Sequence, residues 1–177
     1  AGMPGPGRVH QSGSAARIEF GENDGSTTAR TAAIRDLFDK PGIQVEVSSN
    51  IVDSLWSKLV SVASIGTTMT AARATLPEVL ASPRGEASIR TVMEEIVAVG
   101  QSQGVNFPPR CAAVKLEGAK AEADAYQSSL QYDLEAGKPL ELDELLGAVV
   151  SIASEADIPV PASAMLVTVL DKFKHGS

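Results

Sequence analysis

The periodicity of the apolar residues changes at residue 50, and that change limits the folds open to the chain. Up to Ser49 apolar residues alternate with polar ones in short pieces, the pattern of strands. From Asn50 onward they recur at every third or fourth position, which places them on one face of successive helices. The expectation is a mainly α chain: an all-helical domain over 50–177, preceded over 1–49 by a fragment of α/β structure.

Each helix has its own signals. Ile51, Leu55, Trp56, Leu59 and Val62 form the first stripe, which Asn50 opens. Ala63 to Ala74 is harder to assign, because the run Thr67-Thr68-Met69-Thr70 lowers helix propensity. Ser82-Pro83 reads as a cap and first-turn proline for a helix bearing Ile89, Val92, Met93, Ile96 and Val97, which Gly104 ends. Arg110 to Ala125 is a further helix with a weaker stripe, in Val114 and Leu116. Ser128 or Ser129 starts a short helix closed by Gly137. The strongest stripe follows, in Leu142, Leu145, Leu146, Val149, Ile152 and Ala153. Pro159 and Pro161 break it before a last helix with Met165, Leu166, Val169, Leu170 and Phe173.

The first 49 residues read differently. Arg8–Gln11 and Ala16–Phe20 are strand-like, and Ser12-Gly13-Ser14 between them predicts a hairpin. Thr27 to Asp39 is a helix, capped by Thr27 or Thr28 and stopped by Pro41-Gly42. Ile43 to Val47 alternates as a strand. Such a strand–strand–helix–strand unit cannot bury its own faces and reads as the end of something larger.

Composition excludes several classes. A net charge of −7 with no basic run argues against a nucleic-acid partner. One cysteine, Cys111, allows no internal disulfide and fits a reducing compartment. His10 and His175 are the only histidines, both near the ends, so no metal site is expected. No apolar run approaches the roughly 20 residues of a membrane span, and AGMPGPGRVHQSG lacks the apolar core of a secretory signal. The cytoplasm is the default.

Polar groups gather in Tyr126 to Gly147, at the starts of two consecutive helices, where backbone N–H groups and acidic side chains can face a ligand. Lys58 lies within a turn of Trp56 on an apolar helix. A desolvated lysine there can deliver a proton, although spacing alone reads first as a snorkelling surface lysine. Glu141 follows Pro139 in the first turn of the strongest helix, where the macrodipole alone would favour a carboxylate. Ser129 reads first as an N-cap, with Asp133 one turn later on the same face. Asp143 reads as solvated, as do Arg73 and Arg84, and Cys111 as a small core residue. Gly5-Pro6-Gly7 is no dinucleotide fingerprint, since it lacks the third glycine and the strand–helix context.

In combination these pieces are more specific. The order Trp56–Leu59, then Ser128–Leu134, then Gly137–Gly147, followed by Ile158-Pro159-Val160-Pro161, resembles the C-terminal half of the ketopantoate reductase (2-dehydropantoate 2-reductase) family. Gly5 to His10 and Phe20-Gly21 resemble the end of that family's first domain.

The resemblance implies a helical substrate domain closing over a Rossmann domain that binds NADPH, with a 2-keto acid between them. Residues 1–49 would be the last part of that Rossmann domain. Lys58 matches the general acid, Glu141 the glutamate that holds the lysine and contacts the substrate hydroxyl, and Ser129 the serine that binds the substrate carboxylate. Asp133 joins Ser129 as a substrate-binding candidate. The family's frequent Asn one turn after the lysine is Val62 here, which allows a 2-keto acid other than ketopantoate. The glycine-rich strand and helix that cradle the pyrophosphate are not in the sequence. The competing expectation is a non-catalytic helical dimerisation module of the same fold, and a homodimer is compatible with both.

Overall fold

The computed structural model describes residues 2–10 and 16–176. It divides into two compact units, Ala1–Val52 and Asp53–Ser177.

In the first unit β1 (Gly2–Gly5) pairs antiparallel with β2 (Arg8–His10), across the Pro6-Gly7 turn. β3 (Ala16–Phe20) pairs in parallel with β4 (Ile43–Val47), register running from Ala16 opposite Ile43 to Phe20 opposite Val47. This corrects the expected pairing of Arg8–Gln11 with Ala16–Phe20, while the Ser12-Gly13-Ser14 turn itself lies outside the described residues. Parallel strands need a crossover, and α1 (Ala29–Phe38) supplies it. Thr28 caps α1 by accepting from the Thr31 N–H, and the Thr31 hydroxyl oxygen accepts from the Thr28 N–H in return, a capping box. Upstream, Glu22 accepts from the Thr28 hydroxyl at 2.7 Å and pairs with Arg30. Of this unit's described side chains only Thr31 and Ile51 are buried. A βαβ element with so little interior leaves its apolar faces half-covered, as the sequence pattern implies.

Among the described residues the second unit is all helical. α2 (Ile51–Ala72) runs unbroken through the Thr-rich segment that propensity disfavours. Its hydroxyls donate to carbonyls one turn back: Ser64 to Val60, Thr67 to Ala63 and Thr70 to Gly66, each at 2.6 Å. Buried hydroxyls satisfied within their own helix cost little, so tertiary burial overrides propensity here.

Next comes α3 (Leu76–Ala81), absent from the sequence expectation, with Thr75 and Glu78 forming a capping box and Pro77 in the first turn. Ser82 ends this helix and does not cap the following one, α4 (Gly85–Ser102). The chain turns so tightly that a Cβ on Gly85 would lie 1.7 Å from the Val79 carbonyl oxygen. Because that oxygen is backbone, Gly85→Ala is expected to destabilise this unit by about 3 kcal/mol. Chemical denaturation checks this; an unfolding midpoint equal to the parent's would refute the close packing.

α5 (Cys111–Ala121) stops short of the expected Ala125, where a 3₁₀ turn covers Ala123–Ala125. α6 (Ser129–Glu135), a π turn (Asp143–Gly147), α7 (Ala148–Glu155) and α8 (Pro161–Asp171) complete the unit. The main core joins α2, α3, α4 and α7 through Val60, Ile65, Met69, Leu76, Ile89, Met93, Ile96 and Val149. A second, smaller core gathers Leu130, Leu140, Leu142 and Leu170, with Ala71 of α2 packed against it. The small core positions the candidate site.

Candidate active site

Lys58 stands in the early part of α2. The helix there is pinned to the loop after α4: the Asp53 carboxylate accepts from the Asn106 N–H at 3.1 Å, and the Trp56 and Phe107 rings pack onto Gly100. Its neighbours Trp56 and Leu59 pack against the main core, and Lys58 is turned outward and exposed. Val62, one turn on, is half-buried. Lys58 and Glu141 form no ion pair with one another in this structure, and both side chains face outward.

The N-cap of α6 is Ser128 rather than Ser129: its side chain accepts from the Gln131 N–H at 3.4 Å. Ser129 is therefore the first helical residue, with an exposed side chain not engaged in capping. A hydroxyl released from that duty can donate to a ligand. Asp133, one turn later, is half-buried and sits 3.7 Å from the Lys138 ammonium, which also lies 4.9 Å from the Tyr132 ring centre. Between Asp133 and Lys138 the chain reverses: the Lys138 N–H donates to the Asp133 carbonyl at 2.9 Å, and Gly137 takes a positive φ of 66°.

Glu141 lies just outside the helix it was expected to open. The Gly147 N–H reaches back five residues to the Leu142 carbonyl at 2.8 Å, so this segment begins as a π turn at Asp143. Such turns recur where a functional side chain must be re-aimed. Leu140 and Leu142 on either side are buried in the small core, which leaves Glu141 exposed between them.

α6 and the small core are tied to α2 at two points. Gly66 of α2 faces Ser128 so closely that a Cβ there would lie 3.2 Å from its hydroxyl oxygen. Five residues on, Ala71 packs against the small core formed by Leu130 of α6 with Leu140, Leu142 and Leu170. Lys58 is two turns before Gly66, roughly 12 Å along the helix axis. Ser129, Asp133 and Glu141 are thus mounted against the second half of α2, with Lys58 further along the same rod.

The remaining candidates are structural. Arg73 stacks its guanidinium over the Phe173 ring at 5.3 Å, and Arg84 precedes α4. Cys111 is buried, and burial pushes its thiol above the ordinary range, which keeps it unreactive. Gly5, Pro6 and Gly7 belong to the β1–β2 hairpin, so they make no strand-to-helix turn that would cradle a dinucleotide pyrophosphate.

One polar residue escaped the sequence reading. Glu95 of α4 is buried and accepts from the Ala162 N–H at 2.9 Å, the Ser163 N–H at 2.8 Å and the Ser163 hydroxyl at 2.6 Å. It caps α8, whose own N-cap residue, Val160, has no polar side chain. The only sequence signal was a carboxylate inside the apolar stripe of Val92, Ile96 and Val99.

Comparison with known proteins places this site in context. The family model described as Ketopantoate reductase PanE/ApbA C terminal matches residues 50–174. A 2-dehydropantoate 2-reductase of Mesorhizobium japonicum is 31% identical over 145 residues, 82% of this chain and 44% of that protein. The crystal structure of a PanE/ApbA family ketopantoate reductase from Ralstonia eutropha superimposes with a TM-score of 0.83 at 29% identity, covering 98% of this chain and 57% of that one. A dimeric ketopantoate reductase from Staphylococcus aureus shares the fold with a TM-score of 0.77 at 22% identity, over 89% of this chain and 53% of that one. The chain spans about half the length of the relatives it matches.

Proposed function

The chain belongs to the ketopantoate reductase family, whose helical C-terminal domain it carries, and on that premise we propose that it supplies the substrate-binding and proton-delivering part of an NADPH-dependent 2-keto acid reductase. Ketopantoate or a close analogue is the substrate. The hydride comes from a reduced nicotinamide nucleotide whose pyrophosphate is bound outside the residues described here, and residues 1–49 are the last part of the domain that binds it. Reduced nicotinamide makes the cytoplasm the natural setting, and no helix among the described residues is long and apolar enough to cross a membrane.

Each residue then has a distinct task. The Ser129 hydroxyl donates to the substrate carboxylate, with Asp133 beside it orienting the polar end of the substrate. As hydride reaches the carbonyl carbon, negative charge grows on oxygen, and the Lys58 ammonium stabilises that charge and delivers the proton. Glu141 accepts from the substrate hydroxyl and from the lysine, keeping the lysine charged and oriented. The observation that carries this reading is the packing on α2: Ser129, Asp133 and Glu141 stand on segments packed against the helix that bears Lys58.

The substitution of Val62 for the family's frequent Asn removes one polar contact and favours a 2-keto acid with an apolar group at that point. It also favours, as a second reading, a non-catalytic dimerisation module. Assay of the complete reductase with NADPH against a panel of 2-keto acids separates the two. Reduction of at least one member is expected, together with no turnover and no tight NADPH binding by residues 1–177 alone. Turnover by the 177-residue chain would overturn the placement of the cofactor, and a complete protein inert to the whole panel would leave the second reading. Light scattering on the complete protein is expected to show a homodimer.

A further inference from the structure

The link that carries Glu141 is fastened by a segment to which none of these roles assigns a task. After α8 the backbone curls in tight turns, with the Phe173 N–H on the Leu170 carbonyl at 2.9 Å and the Gly176 N–H on the Phe173 carbonyl at 3.0 Å. This curl brings Lys174 against the link, where it makes two contacts of different kinds. Its carbonyl accepts from the Leu140 N–H at 3.0 Å, and its ammonium pairs with the Asp143 carboxylate. Leu140 and Asp143 bracket Glu141 on its two sides. Gly176 then lies so close to the preceding turn that a Cβ there would be 2.7 Å from the Gly137 carbonyl oxygen. Leu170, Phe173 and Leu140 share the small core beneath.

We infer that Lys174 is a positioning residue for Glu141, holding the link at Leu140 through its backbone and at Asp143 through its side chain. The inference deepens the proposed function and rests on the part given there to Glu141. An exposed carboxylate on an irregular link has many accessible positions, and proton chemistry tolerates little displacement: a misplacement of about 1 Å can cost on the order of 100-fold in rate. The buried leucines fix the link's depth, whereas Lys174 fixes its path on either side of Glu141. The hydrogen bond to Asp143 raises the lysine's proton affinity. A surface ion pair adds little to stability, so its loss acts on position more than on folding.

The test uses the complete reductase carrying Lys174→Met, Lys174→Arg, Glu141→Gln and the Lys174→Met/Glu141→Gln pair. Lys174→Met is expected to lower kcat about tenfold with the thermal midpoint unchanged, and Lys174→Arg to restore most of it. In the Glu141→Gln background, Lys174→Met is expected to have no further effect, the non-additivity of groups acting through one another. Hydrogen exchange at the Leu140 amide is expected to quicken in Lys174→Met. Should Glu141→Gln lower kcat while Lys174→Met leaves it intact, the positioning role fails and the Glu141 assignment stands. An undiminished Lys174→Met effect in the double variant also overturns it, because the lysine would then act by another route. If Glu141→Gln itself leaves kcat unchanged, the assignment of Glu141 fails and the positioning role falls with it.

Discussion

Lys58→Ala is expected to lower kcat of the complete reductase by roughly 100-fold to 10,000-fold, the usual contribution of a positioned general acid. The loss belongs to the chemical step. Lys58 is exposed on α2, its neighbours Trp56 and Leu59 do the packing, and removing its side chain leaves the core untouched. The thermal midpoint and NADPH binding should therefore stay at the parent's values. Lys58→Arg is expected to recover little, since a guanidinium stabilises negative charge but does not release its proton near neutral pH. Steady-state kinetics with a substrate of the panel, beside fluorescence titration with NADPH, makes the check. Activity within threefold of the parent would mean that the proton comes from elsewhere.

Glu95→Ala is expected to lower stability by about 3 kcal/mol, as much as Gly85→Ala. The change removes the acceptor for two N–H groups at the start of α8 and for the Ser163 hydroxyl. Ser163 is fully buried, so water cannot replace the carboxylate without opening the α4–α8 contact. Val160 offers no alternative cap. For a domain of this size such a loss lowers the melting temperature by about 10 °C. Glu95→Gln keeps the shape and one oxygen acceptor and should lose about 1 kcal/mol. Scanning calorimetry decides: a Glu95→Ala protein melting within about 2 °C of the parent would show that the cap contributes nothing.

The two predictions differ in how far the sequence foresaw them. Lys58 is put forward from Trp56-Ser57-Lys58 together with the later serine and glutamate blocks, because an order of short motifs survives in one dimension. Glu95 was not, because its partners are 67 and 68 residues away and a lone carboxylate in an apolar stripe does not name them. The same distinction separates Ser128 from Ser129. Both serines fit a helix start, and only the dihedral angles and the Gln131 N–H assign the cap to the first, freeing the second for a ligand. Glu141 was placed in a helix by its stripe of leucines. The i to i−5 bond at Gly147, which moves the helix start beyond it, depends on packing that a stripe does not encode.

Local physics fixed much of the rest. The Thr28 cap, the reversal at Gly137, the strand at Ile43–Val47 and the stripes of α4 and α8 depend on residues within a few positions of one another. Alternation and helical spacing are therefore sufficient to predict them. By itself the sequence determined that the chain is mainly helical after residue 50 and that a strand–strand–helix–strand unit unable to bury its own faces precedes it, and it put forward a lysine, a serine and a glutamate as site candidates. Tertiary structure alone decided that β3 pairs with β4 and that the Thr-rich stretch stays helical with its hydroxyls bonded backward. It also decided that Glu95 caps a distant helix and that Lys174 returns to grip the link beside Glu141. Those features share one physical cause: each is a hydrogen bond or a burial whose partner is chosen by the folded neighbourhood, and propensity carries no information about a neighbour it has not yet met.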